Sequence, residues 1–98
     1  MPVYAYRVFY RWDGPSQTDA FAKEKSPTQV TEALRGFLSE VHHRIDDREA
    51  TVDHQHVDSS ATEVVARIRT IASVEEVGRA VDATLKDWRL YAELLDVS

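Results

Sequence analysis

Four histidines are the residues of this 98-residue chain whose spacing could support metal chemistry. His54 and His56 lie two positions apart in a stretch with strand character. Both imidazoles would therefore share one strand face, with Asp58 next along it. A metal site needs a third ligand and supporting hydrogen bonds, and His43 would reach this face only if a helix end folds over the strand. We therefore expect neither a metal nor another cofactor, and His54 and His56 are the only metal candidates.

Other catalytic groups are sparse in the sequence. Asp13 ends the first predicted strand, where small ferredoxin-like nucleases place a catalytic aspartate, but a turn through Asp-Gly-Pro explains this residue fully. The chain has no cysteine, which excludes a thiolate nucleophile, a disulfide and a Cys-ligated metal. It has no glycine-rich phosphate loop, G-x-S-x-G elbow or H-E-x-x-H motif. The sequence therefore predicts a protein that is not an enzyme.

Two segments have the periodicity of amphipathic helices, with apolar residues recurring every three or four positions. The first begins after Ser26, which is an N-cap ahead of Pro27 and forms a capping box with Gln29. The second begins after Ser73, which is an N-cap and forms a predicted capping box with Glu76. The apolar stripe of the first helix contains Val30, Ala33, Leu34, Phe37, Leu38, Val41 and Ile45.

The end of the second helix has two interpretations. Its stripe continues through Leu95 with no glycine or proline after Gly78, and helix propensity favours a helix over this whole stretch. The alternative is a helix that ends near Asp87, followed by a last strand over residues 89–97. We take the long helix as the prediction.

Three further segments read as strands, because aromatic and β-branched residues are frequent in them and turn residues bound them. These are residues 3–12, 50–57 and 62–71, with a possible short return strand at 18–25. Residues 50–57 and 62–71 are predicted to form a hairpin. Shifting the chain by 47 residues superimposes Ser26 on Ser73, which suggests two similar units.

The predicted fold is an α+β two-layer sandwich, a four-stranded antiparallel sheet with two helices on one face. A tandem of strand–strand–helix units gives the order ββαββα. The competing order is the ferredoxin-like βαββαβ, in which residues 13–25 are a loop and the C-terminus is a strand. We expect one domain over residues 1–98.

Charge and composition restrict the partners. The net charge is −5, from 17 acidic and 12 basic residues, so phosphate backbones and anionic lipids repel the chain on average. No stretch is long and apolar enough for a signal peptide or a membrane span. We therefore expect a cytosolic protein without a membrane role.

One surface stands out from the strand alternation. Alternate residues of the first strand form its more apolar side, and we expect this side to face the helices. They are Tyr4, Tyr6, Val8, Tyr10 and Trp12. The opposite, open face would carry arginines beside an aromatic ring: Arg7, Phe9, Arg11, Arg67 and Arg69. Such a face fits a subunit interface, a platform for single-stranded nucleic acid, or a solvated surface. We expect an interaction module, most simply a homodimer or a partner-binding protein, with nucleic-acid binding as the alternative.

Overall fold

A computed structural model describes residues 2–12, 14, 23–59 and 62–98. The strands form one four-stranded antiparallel sheet in the order β2-β3-β1-β4. The α+β two-layer prediction is thus confirmed, and the order of elements is the ferredoxin-like βαββαβ. The elements are β1 (Val3–Phe9), α1 (Pro27–Arg44), β2 (Thr51–His56), a 3-10 turn (Val57–Ser59), β3 (Glu63–Arg69), α2 (Val74–Trp88) and β4 (Tyr91–Val97).

Both helices begin where the sequence predicts. At α1 the Gln29 amide donates to the Ser26 hydroxyl, while the Gln29 side chain accepts from the Ser26 amide at 2.8 Å, completing a capping box. At α2 the Glu76 amide donates to the Ser73 hydroxyl at 3.2 Å. Each bond satisfies an amide that has no partner inside the helix.

Replacing either capping serine with alanine is expected to lower the free energy of unfolding by about 1 kcal/mol, because one helix amide loses its acceptor. Urea unfolding followed by circular dichroism measures this difference. Ser39→Ala on the exposed side of α1 is the matched control and should leave the midpoint unchanged or slightly higher. Midpoints of the Ser26→Ala and Ser73→Ala variants equal to that of the parent would contradict the prediction.

The predicted long second helix is wrong. α2 ends at Trp88, Arg89 takes a left-handed conformation with φ 53° and ψ 44°, and β4 follows. Residues 91–97 pair with β1, and the ladder closes with Val3 N donating to Ser98 O at 2.7 Å. Local propensity favours a helix here, but β1 would otherwise leave a row of backbone groups unpaired. The alternative of a strand after the helix is confirmed.

The tandem strand–strand–helix arrangement is also wrong, because α2 is followed by a fourth strand and the described elements of each half of the chain have the order strand–helix–strand. β1 ends at Phe9, and residues 23–25 are not part of a strand, while 18–22 lie outside the described residues. The offset of 47 residues relates the starts of α1 and α2 and places β1 on β2, whereas β3 would fall on residues 16–22, which lie outside the described residues. The predicted hairpin of residues 50–57 and 62–71 is confirmed as the pairing of β2 with β3.

The core lies between the sheet and the helices. Tyr4, Tyr6 and Val8 of β1 are buried, as the strand alternation predicts, and so are the inward residues of β3. The apolar stripe of α1 is buried as read from the sequence, α2 contributes Val77 and Val81, and Phe37 of α1 is the largest fully buried side chain among the described residues. The inward residues of β3 are Val64, Ala66 and Ile68. Neither of the two described helices is long and apolar enough to cross a membrane.

Asp47 connects the loop after α1 to the loop before α2, and these two loops with their bonds are called the Asp47 corner below. Its carboxylate accepts from the Thr70 hydroxyl at 2.7 Å and from the Ile71 and Glu49 amides at 3.1 and 3.0 Å. These bonds, that of Thr70 first, hold the pKa of the Asp47 carboxyl below its ordinary value. The Thr70 hydroxyl in turn accepts from the Ala72 amide at 3.1 Å. The loop after α1 is therefore fixed to the loop before α2.

Candidate functional site

The strand register defines the open face of the sheet. Val3, Ala5, Arg7 and Phe9 of β1 point away from the helices, and so do the residues of β3 and β4 that pair with them and the β2 partners of those β3 residues. Val3, Ala5, Val65, Phe9 and Tyr91 supply its apolar part. Its charged residues are Arg7, Arg67, Arg69, Asp53, Glu63, Glu93 and Asp96. Of the five residues predicted for this face, Arg7, Phe9, Arg67 and Arg69 lie on it.

Three side chains form a stack on this face. The guanidinium carbon of Arg7 lies 4.2 Å from the centroid of the Phe9 ring. The Phe9 ring stacks on Tyr91 of β4 at a centroid distance of 5.5 Å and an interplanar angle of 19°. A cation over an aromatic face and an offset ring pair are both favourable arrangements. The stack therefore joins β1 to the C-terminal edge strand.

Two carboxylates fix the guanidinium of Arg7. Its Nε donates to Glu63 of β3, and its Nη1 donates to Glu93 of β4 at 3.1 Å. The hydrogen bond to Glu93, followed by that to Glu63, raises the pKa of Arg7 above its ordinary value. Arg7 therefore stays charged, and two of its five N–H donors are used within the sheet.

Arg67 and Arg69 take no part in the bonds of Arg7 to Glu63 and Glu93. Both are exposed on β3, and neither is within 4 Å of a carboxylate in the part of the chain that the structure describes. Ala5 pairs with Arg67 on one side and with Asp96 on the other. The face thus carries three arginines and four carboxylates, so it is not a basic surface.

Arg11, the fifth predicted residue, lies beyond the end of β1 and outside the ladder. It is exposed and borders a cleft together with Tyr10 and Trp12. Strand alternation predicts Arg11 on the open face, but β1 ends at Phe9 and the Tyr10 amide makes the last backbone bond to the β3 side, so alternation does not fix the direction of Arg11.

Three residues of this face were not predicted from the sequence: Glu63, Glu93 and Tyr91. Glu63 occupies the same outward register as Arg67 and Arg69, so alternation along the predicted strand was a sufficient signal for it. Glu93 and Tyr91 were assigned to a helix, and no local signal places them beside β1. Their position follows from the strand that β1 pairs with.

The predicted metal candidates His54 and His56 lie on the edge strand β2. His54 and His56 are exposed on the edge strand β2, with ring centroids 6.0 Å apart. Asp58 lies in the 3-10 turn with φ 47°, so it does not continue the strand face. Within residues 2–12, 14, 23–59 and 62–98, no group of three His, Cys, Asp or Glu side chains is arranged to hold a metal ion. Asp13 lies outside the described residues.

The edge strand β4 exposes large apolar side chains, of which Tyr91 lies on the open face, while Leu94 and Val97 pair with the inward residues Tyr6 and Tyr4. Tyr91, Leu94, Leu95 and Val97 are each at least two-fifths exposed. Unpaired backbone groups and exposed apolar side chains therefore lie together on this edge strand.

Comparison with known proteins does not assign this face. No protein-family model matches the sequence, and no curated protein is similar to it at a significant level.

Proposed function

We propose that this protein is a cytosolic, non-enzymatic interaction module that forms a homodimer through the open sheet face. The register of the face is the observation that supports this most directly. Because Ala5 pairs with both Arg67 and Asp96, the cation and the carboxylate lie at the same level, on the two strands that flank β1. Neighbouring strands are about 4.8 Å apart, so the two charged residues are separated by about 10 Å across the sheet.

This arrangement is self-complementary. A twofold axis running along β1, above the face, would place β3 of each copy over β4 of the other. Arg67 would then meet Asp96 of the second copy, and the same contact would occur twice in the dimer. Along the axis, Ala5 and Phe9 of one copy would meet Ala5 and Phe9 of the other. Arg7 adds little repulsion at the axis, because Glu63 and Glu93 neutralise it.

Single-stranded nucleic acid is the alternative ligand of this face, with Phe9 and Tyr91 as a stacking platform. The balance of three arginines and four carboxylates opposes it, because affinity for nucleic acid depends on cations that neutralise phosphates. We therefore infer that a second copy of the chain fits the face better than an oligonucleotide does.

A charge exchange tests the dimer. Arg67→Glu alone and Asp96→Arg alone should each weaken self-association about tenfold, because each brings two pairs of like charges together. An equimolar mixture of the two variants should restore the parent affinity, since the mixed dimer has two opposite-charge pairs. Sedimentation velocity over a concentration series measures the dissociation constants, and the loss should be smaller at high salt.

Arg35→Glu is the matched control, because it makes the same charge change on the exposed side of α1 and should leave dimerisation unchanged. Variants that dimerise like the parent, or a mixture that does not recover, would contradict the proposed interface. A parent that is monomeric and binds a fluorescent oligonucleotide at submicromolar concentration in ~0.15 M salt would favour the nucleic-acid alternative instead.

A further inference from the structure

The free edge of β4 carries backbone groups that no described strand uses. Val3 and Ser98 exchange both backbone hydrogen bonds, at 2.7 and 2.9 Å, so the odd-numbered residues of β1 bond to β4. The β4 residues that pair with even-numbered residues of β1 therefore direct their amides and carbonyls away from the sheet. They are Ala92, Leu94 and Val97. No described strand lies beyond β4, so these groups can pair with a further strand.

The helix side of this edge is uncovered. Leu94 pairs with Tyr6 and Val97 pairs with Tyr4, so both apolar side chains lie on the face against which the helices pack. The two tyrosines are 6% and 4% exposed, whereas Leu94 and Val97 are 42% and 48% exposed. The helical layer therefore covers β1 and leaves the inner face of β4 open.

Gly78 leaves space between α2 and this edge. α1 packs on the β2 side of the sheet, and α2 packs on the β4 side. A Cβ on Gly78 would meet only the Tyr6 hydroxyl among the described residues, at 4.0 Å. Val74, one turn before Gly78, is exposed. We call the surface between Val74 and Gly78 of α2 and Leu94 and Val97 of β4 the β4 edge site.

Tyr6 turns an unused hydroxyl towards this site. The Tyr4 hydroxyl donates to Ala72 O at 2.8 Å, but that of Tyr6 has no hydrogen-bond partner in the described part of the chain. Trp88 Nε1 is the one fully enclosed side-chain polar atom without a partner among the described residues, so the Tyr6 oxygen reaches the surface. Burial, followed by the Asp82 carboxylate, raises the pKa of Tyr6, so the hydroxyl stays protonated. A buried tyrosine hydroxyl normally has a partner, and here a second molecule can supply it.

Carboxylates flank the β4 edge site. Asp82 lies one turn after Gly78 on α2, and Glu93 and Asp96 lie on the open side of β4. Asp82 and Asp96 have no ion pair or hydrogen bond among the described residues, whereas Glu93 is bonded to Arg7. The cations of α2 and its end lie elsewhere: Arg79 on the α1 side, and Lys86 and Arg89 before the start of β4. A strand that pairs here meets apolar side chains on its inner face and carboxylates on its outer face.

We propose that the β4 edge site binds an extended segment of a partner protein in which apolar residues alternate with lysine or arginine. The segment adds a fifth strand to the sheet through backbone hydrogen bonds. Its apolar side chains pack on Leu94 and Val97, and its cations lie opposite Glu93 and Asp96 as favourable cross-strand pairs. A hydroxyl-bearing residue on the inner face bonds to Tyr6. The site is on the opposite side of the sheet from the proposed dimer contact.

A fluorescein-labelled heptapeptide, Lys-Val-Lys-Thr-Lys-Val-Lys, is the probe, and fluorescence anisotropy measures its affinity. The peptide with glutamate in place of every lysine should bind at least about tenfold more weakly. N-methylation of its two valines should weaken binding about tenfold, because residues on the inner face exchange hydrogen bonds with β4. N-methylation of the third and fifth residues, both lysines, is the matched control and should change the affinity little, since those amides point away from β4.

Gly78→Leu tests where the peptide lies on the protein. Leucine is a better helix former than glycine and the space over Tyr6 is open, so the variant should fold. Its side chain occupies the site and should weaken peptide binding at least about tenfold. Gly78→Ala is the matched control and should leave the affinity unchanged, because alanine only reaches contact distance with the Tyr6 hydroxyl.

Tyr6→Phe tests the unused hydroxyl. The variant should bind the threonine peptide about fivefold more weakly and should bind the analogue with valine in place of threonine like the parent. Its unfolding midpoint should not fall, because the hydroxyl has no partner within the described fold. Tyr4→Phe is the matched control: it loses the bond to Ala72 O, so its unfolding midpoint should fall while its affinity for the peptide stays the same.

The titrations are repeated with the Arg67→Glu variant, so that the proposed dimer does not compete for Asp96 and either proposal can fail without the other. Parent binding weaker than about 1 mM, equal affinity for the lysine and glutamate peptides, or equal losses from the two methylated peptides would each overturn the proposal. An unchanged affinity in the Gly78→Leu variant would also do so. Self-association that weakens in the Gly78→Leu variant would show that a second copy of the chain occupies the site instead.

Discussion

Replacing Thr70 with valine is expected to lower the free energy of unfolding by about 2 kcal/mol, although the two side chains have nearly the same shape. The Thr70 hydroxyl is fully buried, donates to Asp47 at 2.7 Å and accepts from the Ala72 amide at 3.1 Å. Valine leaves the buried Ala72 amide without its acceptor and Asp47 without one donor. Denaturant unfolding monitored by tryptophan fluorescence measures the loss.

Thr84→Val is the matched control for this prediction. Thr84 is equally buried, but its hydroxyl donates only to Ala80 O within α2, at 2.7 Å. That carbonyl keeps its backbone hydrogen bond when the hydroxyl is removed, so the expected change is below about 0.5 kcal/mol. Equal losses in the Thr70→Val and Thr84→Val variants would show that the Asp47 corner is not a special feature of the fold.

The hydrogen bonds of Asp47 also make the free energy of unfolding depend on pH. The folded pKa of Asp47 is held below its ordinary value of 3.8, first by the Thr70 hydroxyl. A carboxyl whose pKa is lowered on folding stabilises the protein above its unfolded pKa, and the contribution is lost as the pH falls through the folded pKa. The difference in stability between the parent and the Thr70→Val variant should therefore narrow as the pH falls below 3.8. A difference that is constant with pH would contradict this assignment.

Gly36→Ala is expected to destabilise the protein by about 1–2 kcal/mol, although alanine is the better helix former. A Cβ on Gly36 would overlap the Trp88 ring, well inside van der Waals contact, and two more ring atoms would be under 3.0 Å away. Gly36 therefore lets α1 and α2 approach closely, with the indole ring over its backbone. Thermal unfolding followed by circular dichroism measures the effect.

Gly78→Ala is the control, and it should have the opposite sign. A Cβ on Gly78 meets only the Tyr6 hydroxyl, at 4.0 Å, so the substitution should stabilise α2 by up to about 1 kcal/mol. Combining Gly36→Ala with Trp88→Leu, which removes the ring atoms, should abolish the penalty of Gly36→Ala relative to Trp88→Leu alone. A penalty that persists without the ring would mean that Trp88 is not its cause.

Several features of this protein were determined by the sequence itself. Both helix starts follow from Ser26 and Ser73, because a cap depends on atoms three residues away. The inward faces of β1 and β3 follow from strict alternation, and the α1 stripe follows from helical periodicity. These signals are local and need no knowledge of the rest of the chain. The grouping of Arg7 and Arg67 on one face was predictable for the same reason.

Other features were decided only by the tertiary structure. Residues 91–97 have helix propensity, but they become a strand because β1 has an unpaired edge that they satisfy. Arg7 is neutralised by Glu63 and Glu93, which are 56 and 86 residues away in sequence, so no local pattern could show that the face is not basic. The cleft beside Tyr10 and Trp12, similarly, has Lys25 and Arg89 in its lining, which are distant in sequence. Contacts of this kind exist only once the sheet order is set, because the chain then brings together side chains that no local spacing relates.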